Sequence, residues 1–222
     1  MGAYTEKRAE PGPARREDGK GSALEFDYIA QNIFLPIYEV IADEIIRETG
    51  SMSGTLLDIG CGGGHLGLTL IKKTRHRACL SDINEDALAL AQGRAREWGL
   101  SDRVWVSRQD VHCMSFPDGF ADLVVSRSSY GFWEDKERAF REICRVTAPG
   151  GTAYIGGGMG NSEVAAPVRE KMRRHSPNWP DYLNRAGRKT PTPAYAEILD
   201  RLGLDYGIIE DESRGRWIVI RK

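Results

Sequence analysis

The residues best suited to do chemistry stand in one short run, Asp58-Ile59-Gly60-Cys61-Gly62-Gly63-Gly64. Gly60, Gly62 and Gly64 remove side chains where a backbone must turn tightly and a ligand must come close. A helix opening after such a turn aims its unpaired N–H groups at that ligand. A second carboxylate, Asp82, follows about 20 residues on, where it can accept hydrogen bonds from two ribose hydroxyls. This is the general nucleotide-binding arrangement, and it leaves two readings open. Gly62, Gly64 and Gly67 spell G-x-G-x-x-G, the dinucleotide fingerprint. Asp58, however, stands where it would repel a pyrophosphate and attract the cationic end of an amino acid.

The elements that must position these residues follow from apolar periodicity. Phe26, Ile29, Ile33, Phe34, Ile37, Ile41 and Ile45 recur at helical spacing, and Pro36 divides them into two helices. Beyond Gly54, strands are expected at 55–59, 78–81, 104–107, 123–126 and 152–155, with Asp82 ending the second. Helices are expected from the glycine turn to about Lys73, from Asn84 as N-cap to about Trp98, and over 134–146, stopped by Pro149-Gly150-Gly151. Strands alternating with helices predict a parallel sheet covered on both faces. Residues 161–190 hold one expected helix and a Pro- and Arg-rich stretch, read as a solvated face. A helix over 193–202 and two strands, 206–209 and 217–220, follow.

Composition bounds the rest. A chain of 222 residues suits one well-buried domain. Residues 1–22 are rich in Gly, Pro and interleaved charge and read as a disordered tail, leaving 23–222 as the domain. The net charge of −1 gives no global pull toward nucleic acid or an anionic membrane. No apolar run suffices to span a bilayer, and the N-terminus lacks the apolar core of a signal peptide. Cys61, Cys79, Cys113 and Cys144 include no C-x-x-C pair, so no metal site and no disulfide framework are expected, and a reducing cytoplasm fits. His76 and His175 read as surface histidines.

Four segments resemble, in order, the motifs of class I S-adenosylmethionine-dependent methyltransferases. LLDIGCGGGHLG at 56–67 is similar to their first motif and LSDINEDALALA at 80–91 to their second. QDVHCMSFPDGFADLVVSR at 109–127 resembles their third-strand acid and fourth strand. FREICRVTAPGGTAYI at 140–155 resembles their helix, Pro-Gly-Gly turn and fifth strand. The resemblance implies a single doubly wound, Rossmann-like α/β domain. Its seven-stranded sheet would be mostly parallel, with an antiparallel last strand and helices on both faces. It implies S-adenosylmethionine as cofactor, with Asp58 and Gly60 at its methionine end and Gly62 and Gly64 beneath. Asp82 would take the ribose and Ile83 would flank the adenine. Asp110 and Val111 would meet the adenine edge, one through its carboxylate and the other through its backbone N–H. Ser126 and Arg127 would lie beside the methyl donor.

The pattern breaks after Arg127, at Ser128-Ser129-Tyr130-Gly131-Phe132-Trp133-Glu134-Asp135. The Asn-Pro-Pro-Tyr type of motif is absent, which disfavours methylation of a base or a glutamine. Methyl transfer from a sulfonium needs chiefly alignment and exclusion of water, and a base only where the acceptor must first lose a proton. No catalytic residue is therefore assigned. Tyr130 and Trp133, Tyr28 and His65 are candidates near the donor, the first two more readily read as pocket wall. His112 falls beside the adenine instead.

The helices at 24–49 and the segment 158–195 are expected to cover the cofactor and shape the acceptor pocket. The expected function is methylation of a small molecule with release of S-adenosylhomocysteine. The rivals are an RNA or protein methyltransferase on the same core, a sensor that binds S-adenosylmethionine without transfer, and a dinucleotide-dependent oxidoreductase. Asp58 and the later motifs disfavour the last. Nucleic acid and membrane partners are not expected, and oligomeric state is not legible.

Overall fold

The computed structural model describes residues 22–177 and 190–222. The tail expected at 1–22 lies outside the described residues except for Ser22. So do residues 178–189 of the segment expected to cover the site. Ser22 caps α1 (Ala23–Asn32), its hydroxyl accepting from the Glu25 N–H at 3.1 Å. Pro36 lies in the first turn of α2 (Leu35–Thr49), where its missing N–H breaks no helical bond.

Seven strands form one sheet in the order β3-β2-β1-β4-β5-β7-β6. β1 (Thr55–Ile59), β2 (Arg77–Asp82), β3 (Val104–Arg108), β4 (Ala121–Arg127) and β5 (Thr147–Gly157) are parallel. β7 (Gly215–Arg221) runs antiparallel between β5 and β6 (Asp205–Asp211). The other helices are α3 (His65–Lys73), α4 (Glu85–Glu97), α5 (Lys136–Val146), α6 (Ser162–His175) and α7 (Thr192–Arg201). Alternating strand residues serve two cores. Leu56, Leu80, Leu123 and Val125 pack with α1–α4 and α6. Leu57, Cys79, Val124 and Ile155 pack with α5 and α7. Strand order reverses between β1 and β4, and in open α/β sheets the carboxyl ends of the strands at such a switch point are where ligands bind.

Three local expectations are corrected. Pro149-Gly150-Gly151 lies inside β5 rather than in a turn between helix and strand. Thr147 already pairs with Ala121, and a bulge with Gly150 at φ 80° precedes the pairing of Thr152 with Leu123. α5 begins at Lys136 rather than Glu134, because the Asp135 carboxylate accepts the Arg138 N–H at 2.9 Å as N-cap. His76 is fully buried rather than at the surface. Its ring nitrogens each lie 2.9 Å from a hydroxyl, of Ser51 and of Thr74, which makes burial tolerable. Among the described residues no helix is long and apolar enough to cross a membrane.

Candidate active site

β1 carries Asp58 to the carboxyl edge of the sheet, and the chain then leaves the sheet through Gly60, Gly62 and Gly64 at φ 64°, 53° and 79°. These left-handed conformations call for glycine. Gly60 is also sterically committed, since an added Cβ would stand 2.5 Å from Ser129 Cβ. A Cβ on Gly62 would meet nothing within 4 Å, so this part of the turn faces open space. The Cys61 N–H donates to the Ser81 carbonyl at 2.9 Å. The Gly62 N–H donates to Asp82 Oδ2 and the Asn84 N–H to Asp82 Oδ1, both at 2.9 Å. Asp82 thereby ties the first turn to the second. Each of its oxygens keeps a lone pair for a further donor. Ile83 beside it is 61% exposed, an apolar side chain at the rim.

Asp58 is buried under this turn, with Oδ2 accepting the Gly67 N–H at 2.9 Å. Burial raises its carboxyl to about 7, with Asp82 pushing in the same direction and the Gly67 bond pulling the other way. Asp110 lies just beyond β3. Its Oδ1 accepts from the His112 N–H at 2.9 Å and lies 2.7 Å from His112 Nδ1. The bonds from His112, the backbone one foremost, hold the Asp110 carboxyl below its usual range. Val111 turns its side chain into the core beside α5, leaving its backbone for any outside contact.

At the end of β4 the Ser126 hydroxyl lies 2.5 Å from that of Ser129, which also reaches the Ile59 carbonyl at 3.4 Å. Arg127 donates to the Gly158 carbonyl at 3.0 Å and to the Tyr38 hydroxyl at 3.4 Å, its guanidinium lying over the Phe34 and Tyr38 rings. Ser128 follows at φ 64°, a strained conformation for a residue with a side chain. Such strain is found where surrounding structure over-determines a functional loop.

The candidates for catalysis part company. Tyr28 stacks on His175 of α6, with ring centroids 5.6 Å apart. His65 is 2% exposed, stacks on Tyr38 and lies 3.1 Å from Gln31 Oε1. Burial, with Arg94 and Arg127 nearby, pushes its imidazolium down to about 3, so the ring is neutral. Trp133 packs edge-on against Phe140 in the core. Tyr130, in a 3-10 turn, lines a separate cavity of about 360 Å³ with Thr190, Tyr195, Glu210 and Arg216. Arg216 pairs across the sheet with Gly157 at the end of β5, so this cavity lies at the same carboxyl edge of the sheet as the glycine turn.

Sequence reasoning missed Asp27, Gln31, Tyr38 and Arg94, which join α1 and α2 to the glycine turn and to His65 behind it. Arg94 left one readable signal. It falls on the apolar stripe of α4 formed by Ala87, Leu88, Ala91 and Ala95.

A solved structure from Methanococcus maripaludis, a candidate S-adenosyl-L-methionine-dependent methyltransferase, matches this fold with a TM-score of 0.85. It is 34% identical, and the match covers 99% of this chain and 97% of that one. The chain belongs to the class I S-adenosylmethionine-dependent methyltransferases. A methyltransferase-domain family model matches residues 56–151, from β1 into β5, so the glycine turn, Asp82 and Asp110 of this methyltransferase all fall within it. Ajmaline N-methyltransferase of Rauvolfia serpentina is 37% identical over 100 residues, 45% of this chain and 34% of that protein. The ubiquinone/menaquinone biosynthesis C-methyltransferase of Rickettsia massiliae is 29% identical over 134 residues, 58% of this chain and 54% of that protein. This methyltransferase thus spans between a third and about half the length of these curated relatives.

Proposed function

We propose that this methyltransferase moves the methyl group of S-adenosylmethionine to a small-molecule acceptor and releases S-adenosylhomocysteine. The observation that carries the reading is the turn held by Asp82, with Gly62 facing open space and Asp58 buried beneath. A dinucleotide's pyrophosphate would meet repulsion from Asp58, whereas an ammonium group would be attracted. Bound there, S-adenosylmethionine supplies a methyl group activated by its sulfonium.

The chain's own residues would then bind, orient and exclude water. Gly60, Gly62 and Gly64 admit the methionine end, Asp82 accepts the ribose hydroxyls, and Ile83 covers one adenine face. Asp110 and the Val111 N–H read the adenine edge. Ser126 and Arg127 flank the methyl group, with Arg127 held by Tyr38 and Gly158. The acceptor would enter from the cavity at Tyr130, Tyr195 and Arg216, beside the end of β4.

In this reading residues 23–222 form the methyltransferase domain, 24–49 cap the cofactor and 158–195 contribute to the acceptor side. Stacking of Tyr28 on His175 supports joint action of cap and α6. The sequence's four cysteines are free thiols, with Cys113 exposed, which suits a reducing cytoplasm. Calorimetry with S-adenosylhomocysteine and with NAD tests the cofactor: micromolar binding of the first is expected, and micromolar NAD binding without it overturns the reading. Labelled methyl donor incubated with cell extract tests the acceptor. Label in small molecules is expected; label confined to RNA or protein, or no label at all, refutes a small-molecule methyltransferase.

A further inference from the structure

The glycine turn contains a glycine that the turn itself does not require. Gly60, Gly62 and Gly64 adopt left-handed conformations, but Gly63 is not among the positive-φ residues. What Gly63 lacks is room. A Cβ there would overlap Asp27 Oδ1 of α1 and Arg94 Nη1 of α4. Arg94 is 9% exposed; its Nη1 donates to the Gly63 carbonyl and its Nη2 pairs with Asp27 Oδ2 at 2.9 Å. One turn further along α1, Gln31 meets His65, the first residue of α3. Asp27 Oδ1 is buried, accepts no hydrogen bond and lies 4.0 Å from His65 Nδ1.

Apolar packing through Ile29, Ala30 and Ile33 already fastens α1 to the core. The polar contacts do something packing does not. They reach the carbonyl of the peptide group that joins Gly63 to Gly64, the N-cap of α3, one residue after Gly62, which faces open space. The rigid, planar guanidinium holds its two partners, the Gly63 carbonyl on Nη1 and Asp27 on Nη2, at a fixed separation from each other. Lifting α1 would separate Arg94 from the carboxylate it pairs with.

We propose that Asp27 is a positioning residue for the cofactor turn, acting through Arg94 on the Gly63 carbonyl, so that docking of α1 and occupation of the turn favour each other. This rests on the donor reading above. Coupling between sites is reciprocal, so the ligand must also tighten α1.

The test measures S-adenosylhomocysteine affinity by calorimetry and amide exchange of residues 23–32 with and without that ligand. In the wild-type chain the ligand is expected to slow exchange in α1. In Asp27→Asn the affinity should fall about tenfold, a typical coupling, and the slowing should disappear. Gly63→Ala, which leaves Asp82 and the left-handed glycines in place, should do the same. A lower Tm with affinity within about twofold of wild type would mark Asp27 as merely structural and overturn the proposal. So would exchange in wild-type α1 that ignores the ligand, which needs no variant to fold. Wild-type protein that binds no S-adenosylhomocysteine instead removes the donor reading itself.

Discussion

The two ends of the sheet's carboxyl edge are built differently. At β1 and β2 the donors are backbone N–H groups of Cys61, Gly62 and Asn84, which reach the Ser81 carbonyl and the one side chain involved, the Asp82 carboxylate that ties two turns. At β4 to β7 they come from side chains on distant elements. Tyr130 follows β4, Tyr195 lies on α7, and Arg216 pairs with Glu210 across β6 and β7 at 2.9 Å. A backbone-built site requires particular residues at fixed spacing, so it binds a constant ligand and leaves a motif. A side-chain site can be rebuilt one residue at a time, which suits a part that chooses among acceptors.

The sharpest way to break this comparison is to remove the carboxylate on which the first end depends. Asp82→Ala should weaken S-adenosylhomocysteine binding by roughly 1–3 kcal/mol, the scale of lost charged hydrogen bonds, as read by calorimetry. Unchanged affinity would take Asp82 out of the site and leave the first end no more than a structural turn.

His65 tests whether the first end is as rigid as its bonding suggests. Its folded imidazolium titrates near 3 against an ordinary 6.5, so the unfolded chain takes up the proton first. Its contribution to stability is therefore lost as pH falls through about 6.5, by ~2 kcal/mol near pH 5. Asp58 acts in the opposite sense. Its raised carboxyl stabilises the folded chain at low pH and loses that contribution as pH rises from about 4 to 7. Only the difference between wild type and His65→Gln isolates the histidine. Urea titrations of both at neutral and acid pH should diverge on acidification; parallel curves would mean that the ring is solvated and the cap loose.

The legibility of the two ends differed for the same physical reason. All seven strands showed in the sequence as apolar runs, and the glycine turn and Asp82 could be placed from local spacing, whereas Asp110 was placed only by the family resemblance. The β5 bulge was not legible, because Gly150 reads as a helix stop until Thr147 is seen to pair with Ala121. His76 looked exposed because its partners, Ser51 and Thr74, make its burial tolerable only in three dimensions. The Asp27–Arg94 pair spans 67 positions and follows no period. Tyr130 was noticed, but its cavity depends on Glu210 and Arg216, which no local pattern joins to it.

A smaller effect separates the ends directly. Arg216→Gln removes bonds to Glu210 and to the Thr190 carbonyl. It should raise the acceptor KM roughly fivefold, in line with about 1 kcal/mol for a partly exposed charge pair, and leave S-adenosylhomocysteine affinity within about twofold. Equal loss of both would mean that the cavity belongs to the cofactor.

The smallest effect concerns the proton on Asp58. With its carboxyl near 7, a good part of the population carries that proton at neutral pH in the free chain. A ligand that brings positive charge above the turn favours the carboxylate and expels the proton. Binding should therefore release a fraction of one proton, most near pH 6 to 7 and little above about pH 8. S-adenosylmethionine should release more than S-adenosylhomocysteine, because it adds a sulfonium to the same ammonium. Calorimetry in buffers of different ionisation enthalpy reads this number, and Asp58→Asn should abolish it. Proton uptake, or equal release from the two ligands, would mean that the positive groups lie too far from Asp58 for its charge to select the cofactor. Discrimination against a pyrophosphate would then have to come from the shape of the glycine turn alone.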